Sequence, residues 1–402
     1  MIHRNDYKRN QAFEMIFFIM SVVLLGAVST YFLYKIINPI ITYIFVIFIL
    51  FMLFSFEKDS IKRKNLVYLF LATVMGAGAL YFNGSGFGYL MFLIFPMFTV
   101  SLLMKISLNK RFYSSLSTIV LCSWGLAAVT SIGFRGSYID SLMDGASVDA
   151  LNPNMVALVL GSAYWFVRAW IQRSRLRGEL KLPVTLGFSM VTLGCILLCR
   201  SRTSLSAFFL LVLLDGILGE RMRLSKKLAY AFYWGIIMVG TLLPLGYVFL
   251  WENSTLKNIS ILGKSIFTGR QYIWGNLFEY MKQNPKAIWI GTGHNTDFYV
   301  METFNLHNSY MQIFAEFGII VFLIYFLFLF YVLARAYKDG KISQNKRNYL
   351  MMGFFLLIVG YTETILVYGL TLIFLLLSFG LLASQESWEE NHAIKKNRKL
   401  YL

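Results

Sequence analysis

The chain has 402 residues, of which 57% are apolar, 17% aromatic and only 14% charged. That composition excludes a soluble globular fold. A net charge of +17 would suit a nucleic-acid binder, but no nucleic-acid partner is expected, because the positions of the charges give them another meaning.

Hydrophobic runs long enough to cross a bilayer recur from about Ala12 to Ala383. In chain order the predicted spans are residues 12–34, 38–56, 66–82, 88–108, 113–133, 154–171, 182–199, 203–219, 228–250, 308–334, 348–363 and 366–384, about twelve in all. Their lengths suit a hydrocarbon core of about 30 Å at the helical rise. The predicted fold class is all-α, a polytopic helix bundle, since lipid admits only helices or closed barrels and these runs do not alternate. The last two spans meet near Glu363, where one long kinked span is the alternative. Basic residues cluster in alternate breaks, from Arg4, Lys8 and Arg9 through Lys58–Lys64, Lys105–Arg111, Arg168–Lys181, Arg221–Lys227 and Arg335–Arg347 to Lys395–Lys399, and these hold 28 of the 37. The positive-inside rule puts them, and both termini, in the cytoplasm, facing anionic headgroups. The exceptions are Lys35, Arg135, Arg200, Arg202, Lys257, Lys264, Arg270, Lys282 and Lys286, and function is sought among these.

Cys122, Cys195 and Cys199 sit inside apolar runs and read as small hydrophobes. The first run is a full span with a basic flank, so no cleavable leader is expected. Residues 1–250 hold nine spans, 251–306 a large external loop, 307–384 the last three spans and 385–402 a basic cytoplasmic tail. A second external loop, 134–152, carries Asp140, Asp144 and Asp149 before Asn152-Pro153-Asn154. The large loop has structure of its own. Thr268 and Gln271 fit a capping box opening a helix over about 269–283, whose Ile273, Trp274, Leu277, Phe278 and Met281 share a face. Asn284-Pro285 ends it, and the helix lies on the bundle or in the headgroup layer.

Three places carry candidate chemistry. Arg200-Ser201-Arg202-Thr203-Ser204 falls where one span emerges and the next returns, so two guanidiniums flank a helix N-terminus suited to phosphate; the alternative is snorkelling to headgroups. Arg270 falls in the first turn of the loop helix, where a cation opposes the helix dipole unless an anion is shared. Two such helix starts could clamp a diphosphate. Gly291-Thr292-Gly293-His294 is a turn of close backbone approach, followed by His307-Asn308-Ser309-Tyr310 at the mouth of a span. His307 there is suited to act as a base or to hold a substrate hydroxyl. Two histidines make no zinc site. Glu316 is expected to make a structural hydrogen bond, and Asp215 and Glu220 to pair with basic residues. No P-loop or nucleotide-binding pattern is present.

The order Ser-Arg-Thr (201–203), Thr-Gly-Arg (268–270) with Trp274, Asn284-Pro285 through Gly291 and Gly293, then His307-Asn308-x-Tyr310 with Glu316-x-Gly318, resembles the O-antigen ligase and Wzy-type polysaccharide polymerase superfamily. Asn152-Pro153-Asn154 fits it too. The resemblance implies a GT-C-like bundle that transfers glycans on the external face of a bacterial cytoplasmic membrane. Its donor would be an oligosaccharide on undecaprenyl diphosphate, and it would use no cofactor and no metal. Arg202 and Arg270 would hold the diphosphate and His307 would serve the acceptor or the leaving group. Arg200, Gly291, Gly293, His294, Asn308 and Tyr310 would line the substrate site. A flippase and a chain-length regulator of the same pathway are the implied partners. The lysine- and aromatic-rich, alanine-poor composition suits a low-GC source without a lipid A acceptor, which favours a capsule, exopolysaccharide or O-antigen polymerase over a ligase. A lipid-linked oligosaccharide flippase would also have about twelve spans, but would keep its charges deep in a central cavity.

Overall fold

Long apolar runs with no alternation fold as helices, because only a helix satisfies its own backbone in an apolar setting. A computed structural model describes residues 2–29, 37, 40–41, 43–48, 63–104, 110–133, 152–174, 176–218, 224–253, 260–261, 264–265, 267, 269–293, 305–338, 342–367 and 371–384. Among them every regular element is helical except for one hairpin of two-residue strands, β1 (Ser260–Ile261) and β2 (Lys264–Ser265). The helices are α1 (Ile2–Ser29), α2 (Arg63–Phe82), α3 (Leu90–Leu103), α4 (Lys110–Gly133), α5 (Pro153–Arg173), α6 (Gly178–Leu198), α7 (Arg202–Leu218) and α8 (Lys226–Asn253). After the hairpin come α9 (Arg270–Gln283), α10 (Lys286–Ile290), α11 (Ser309–Ala336), α12 (Gln344–Val359) and α13 (Leu372–Ala383), the last with a π-helical middle at 376–380. Six of these, α2, α4, α5, α6, α8 and α11, are long and apolar enough to cross a membrane, and the apolar parts of α1, α3 and α13 are shorter.

Burial separates the centre from the rim. α5 and α11 are buried over most of their apolar windows, whereas α6 and α8 present most of theirs outward. α5 packs on α4, α6 and α12, while α11 packs on α2, α8 and α10. The outward apolar side chains, such as Leu182, Met190, Met238 and Phe249, are where lipid contact is expected in a bundle of this kind.

One end of the bundle is closed by charge. Arg168 on α5 and Arg347 on α12 both pair with Asp215 near the end of α7, Arg347 at 2.7 Å, and Arg347 also donates to the Asp215 carbonyl at 3.0 Å. This is the basic partner expected for Asp215. Glu220 lies outside the described residues. A buried carboxylate shared by two arginines holds three helices in register at that end.

α11 is broken at Gly318, where φ is 79° and ψ is 176°. The break frees the carbonyls of Ala315 and Glu316 from their helical partners. Thr292 donates its backbone N–H and its hydroxyl to Ala315, and Gly293 donates its N–H to Glu316 at 3.3 Å. A Cβ on Gly318 would lie 2.1 Å from the Trp289 carbonyl oxygen, and one on Gly291 2.3 Å from that of Glu316. The Gly-x-Gly turn is thus a clamp on a broken helix, and Glu316 accepts a structural hydrogen bond from Gln312 Nε2 at 2.9 Å as expected. Replacing Gly318 with Ala is expected to destabilise the protein by about 2–6 kcal/mol, from left-handed strain plus overpacking. A melting temperature measured in detergent checks this against Gly78→Ala, whose Cβ would meet nothing within 4 Å.

Candidate functional site

At the other end of α5 and α7, about 20 Å along α7 from Asp215, several element ends converge. α7 starts at Arg202, with the Ser201 hydroxyl donating to Ser204 Oγ at 3.0 Å and the Ser201 carbonyl accepting from Leu205. α9 starts at Arg270 after Gly269, the residue in the N-cap position, whose φ of 85° suits glycine. The capping box expected at Thr268 is therefore not the start of this helix. Thr268 itself lies outside the described residues, and the Gln271 side-chain oxygen, expected to close the box, is buried with no hydrogen-bond partner. The expected apolar face of α9 does form. Leu277 and Met281 are buried with Leu306, Met311 and Ala315, and the buried Trp274 ring packs on Tyr247, so this face docks on the protein, not in headgroups. Trp274 Nε1 also donates to the Leu306 carbonyl at 2.7 Å.

Arg202 is half-buried, and its guanidinium lies within electrostatic reach of Tyr247 and Arg270. Arg270 Nη2 donates to the Thr362 carbonyl at 2.8 Å and to Glu363 Oε1 at 3.3 Å. Glu363 Oε1 also accepts from Asn154 Nδ2 at 2.7 Å, at the start of α5. Here Asn152 caps α5 by accepting from the Asn154 N–H, with Pro153 at the first helical position. Thr362 Oγ1 reaches Thr203 Oγ1 at 2.7 Å.

His307 precedes α11 in a left-handed conformation, φ 49°. Arg200, φ 50°, is the only other non-glycine residue at positive φ among the described residues, and strained backbone of this kind gathers at functional sites. The turn at His307 is held by Asn305, whose Oδ1 accepts from the His307 N–H at 2.8 Å and from Thr364 Oγ1 at 2.6 Å. Nδ1 of His307 is buried with no hydrogen-bond partner. Burial, then the charge of Arg270, lowers its pKa to about 4. The ring is therefore neutral at physiological pH, with proton-accepting capacity that the protein does not use.

The remaining candidates are placed differently. Asn308 caps α11, accepting from the Met311 N–H, and donates to the carbonyls of Gly240 at 3.2 Å and Tyr361 at 3.0 Å. The Gly240 carbonyl needs that donor, because its helical partner four residues on is Pro244, which has no N–H. Tyr310 is fully buried, donates to the Leu357 carbonyl at 2.8 Å and packs so closely on Gly240 that a Cβ there would meet its ring at 2.4 Å. Both are scaffold residues in this structure, and Gly291 and Gly293 serve the clamp on α11. Arg200 is exposed in the turn before Ser201, and His294 lies outside the described residues.

Sequence reasoning missed Asn154, Asn305, Thr362, Glu363 and Thr364 as site residues. Four of them do carry a visible signal: Thr-Glu-Thr (362–364) interrupts an apolar run, and Asn154 follows the cap at Asn152-Pro153. The break near Glu363 is real. α12 ends at Val359, and residues 360–367 form a non-helical segment before α13.

A helical bundle with six helices long and apolar enough to cross a membrane, and with polar side chains gathered at helix starts, has the character of a multi-pass membrane protein. Residues 187–326, about a third of the chain, match the Wzy_C family model, described as O-antigen ligase, and this match supports the resemblance to the O-antigen ligase and Wzy-type superfamily. Members of that family are membrane glycosyltransferase-like ligases and polymerases. Arg202, Arg270 and His307 fall inside the matched stretch, and Asn154 and Glu363 fall outside it. No curated protein matches the chain.

Proposed function

We propose that the protein polymerises undecaprenyl-diphosphate-linked oligosaccharide repeat units on the external face of the cytoplasmic membrane, within a bundle of about twelve spans whose termini are both cytoplasmic. What supports this most is the meeting of Arg202, Arg270 and a neutral His307 at three element starts. In this reading the acceptor hydroxyl oxygen attacks the sugar carbon bonded to the diphosphate. The bond from that carbon to the phosphate oxygen breaks, the hydroxyl proton passes to the His307 imidazole, and the diphosphate leaves with its electron pair. Arg202 and Arg270 offset the charge that develops on it. No metal is needed for these steps, and a flippase and chain-length regulator would work alongside.

The decisive experiment is the length of lipid-linked glycan in a deletion strain. Single repeat units are expected, and full-length unattached polymer would indicate a ligase instead. Sidedness is checked by a reporter active only outside the cytoplasm. Fused after Gly291 it should be active and after Lys341 silent, following the basic bias; the reverse result would put the site on the wrong face.

The pKa of His307 gives a pH prediction. The base form is needed, and protonation begins only near the folded pKa of about 4. Accordingly kcat/KM should stay level from pH 8 down to about 5.5, with any acid limb lying below an ordinary histidine's. A limb centred near pH 6.5 would contradict a buried, neutral His307 acting as the base.

A further inference from the structure

Glu363 is a carboxylate in an apolar stretch, and such a residue is costly unless it faces protein and is paired. Its surroundings are built to hold it. Ser309 Oγ donates to the Glu363 carbonyl at 2.7 Å and accepts from the N–H groups of Ile365 at 2.9 Å and Leu366 at 3.2 Å. The Ser309 N–H donates to the Gly360 carbonyl at 2.8 Å, and Asn308 takes the Tyr361 carbonyl. The first residues of α11 therefore pin the whole non-helical segment in place.

That segment in turn holds Arg270. Its Nη2 is fixed by two acceptors, the Thr362 carbonyl and Glu363 Oε1, at 2.8 and 3.3 Å. The carboxylate is not given over wholly to the guanidinium. Asn154 holds the same oxygen at the shorter distance of 2.7 Å. A carboxylate closed in two-pronged fashion on Arg270 would neutralise it and compete with phosphate; here one oxygen, Oε1, meets both Arg270 and Asn154 and so ties the cation to the start of α5.

We propose that Glu363 is a positioning residue that aims the Arg270 guanidinium at the donor diphosphate, with Asn154 setting how tightly the carboxylate engages it. This rests on the reading of the site as one that handles a diphosphate leaving group. Glu363 touches no reacting atom. It fixes the angle at which Arg270 meets charge that grows as the bond to the phosphate oxygen breaks, and misplacement by about 1 Å can lower rate by about 10²-fold.

The test uses the full-length protein in detergent or liposomes, with the lipid-linked repeat unit isolated from a strain lacking it. Glu363→Gln keeps the size and the acceptor for Asn154 and removes the charge. Its kcat should fall about 10- to 100-fold while KM for the donor stays within about threefold, the mark of an interaction realised in the transition state. Glu363→Asp, which keeps the charge at shorter reach, should recover part of the loss and sit about 3- to 10-fold below wild type. A merely structural Glu363 would give a lower melting temperature and no such split. Wild-type turnover in Glu363→Gln, with Arg270→Lys crippled in the same assay, overturns the positioning role alone. Wild-type turnover in Arg270→Lys overturns the diphosphate reading beneath it. If the Gln variant does not fold, the Asp variant decides, and full turnover there overturns the proposal.

Discussion

His307→Ala is expected to lower turnover by about 10²-fold or more, the usual contribution of a positioned general base, while donor affinity changes little. The two outcomes separate because, in the proposed reaction, the histidine and the arginines would act on different parts of it. The imidazole would take the acceptor hydroxyl proton, and the guanidiniums would hold the diphosphate whether or not the base is present. The backbone at His307 is left-handed and tied to Asn305 through its own N–H. Alanine tolerates that conformation poorly, so His307→Asn, a residue that enters the left-handed region readily, belongs in the same experiment. Elongation of a purified lipid-linked repeat unit at the wild-type rate by both variants would sink the catalytic assignment. Lost donor affinity with unchanged turnover would move His307 to the binding site.

Arg202→Lys and Arg270→Lys should each cripple chain elongation with normal protein level in the membrane. Lysine keeps the charge but not the planar fork that meets two phosphate oxygens at once. For Arg270 the loss has a second source. One lysine nitrogen cannot hold Thr362 and Glu363 as the guanidinium does and also reach outward with fixed geometry. Arg270→Lys is thus expected to be at least as damaging as Arg202→Lys, and a loss of about 10²-fold or more in kcat/KM is expected for both, on the scale of removing a donor to a developing oxyanion. Full activity in either variant would make that arginine a headgroup contact.

Much of the fold was legible because burial in lipid leaves few choices. Length and apolarity alone located α2 to α8 and α11, the spacing of Trp274, Leu277 and Met281 gave the docking face of α9, and the short α10 was not foreseen. What could not be read was where polar side chains turn inward. Asn308 and Tyr310 belong to a site motif, yet their polar groups are taken up by backbone carbonyls of α8, the segment after α12 and α12 itself. Local sequence does not reveal that the acceptor waiting for Asn308 is a carbonyl orphaned by Pro244. The same holds for the glycines. Gly291 and Gly318 are far apart in sequence, and only folding brings Gly291 against the backbone of Glu316 and Phe317, and Gly318 against that of Trp289 and Gly291. Glu363 escaped notice for a simpler reason: as a boundary between spans it looked like a break, and its partner Arg270 enters from a loop helix 93 residues earlier.

The segment after α12 has a bearing on how the protein is made. Residues 360–367 arrive late from the ribosome, after α5, α7, α9 and α11 have all been synthesised. Until they dock, Arg270 has no carboxylate, Thr203 lacks the Thr362 hydroxyl, and Ser309 has no backbone to pin. α12 brings Arg347 to the Asp215–Arg168 pair at its other end, so α12 and the segment after it tie α5 and α7 together at both ends. A nascent chain halted before Gly360 would carry every residue of the matched family stretch and still have an unfinished centre. On the proposed reading, activity is expected only after residues 360–367 have been synthesised and docked.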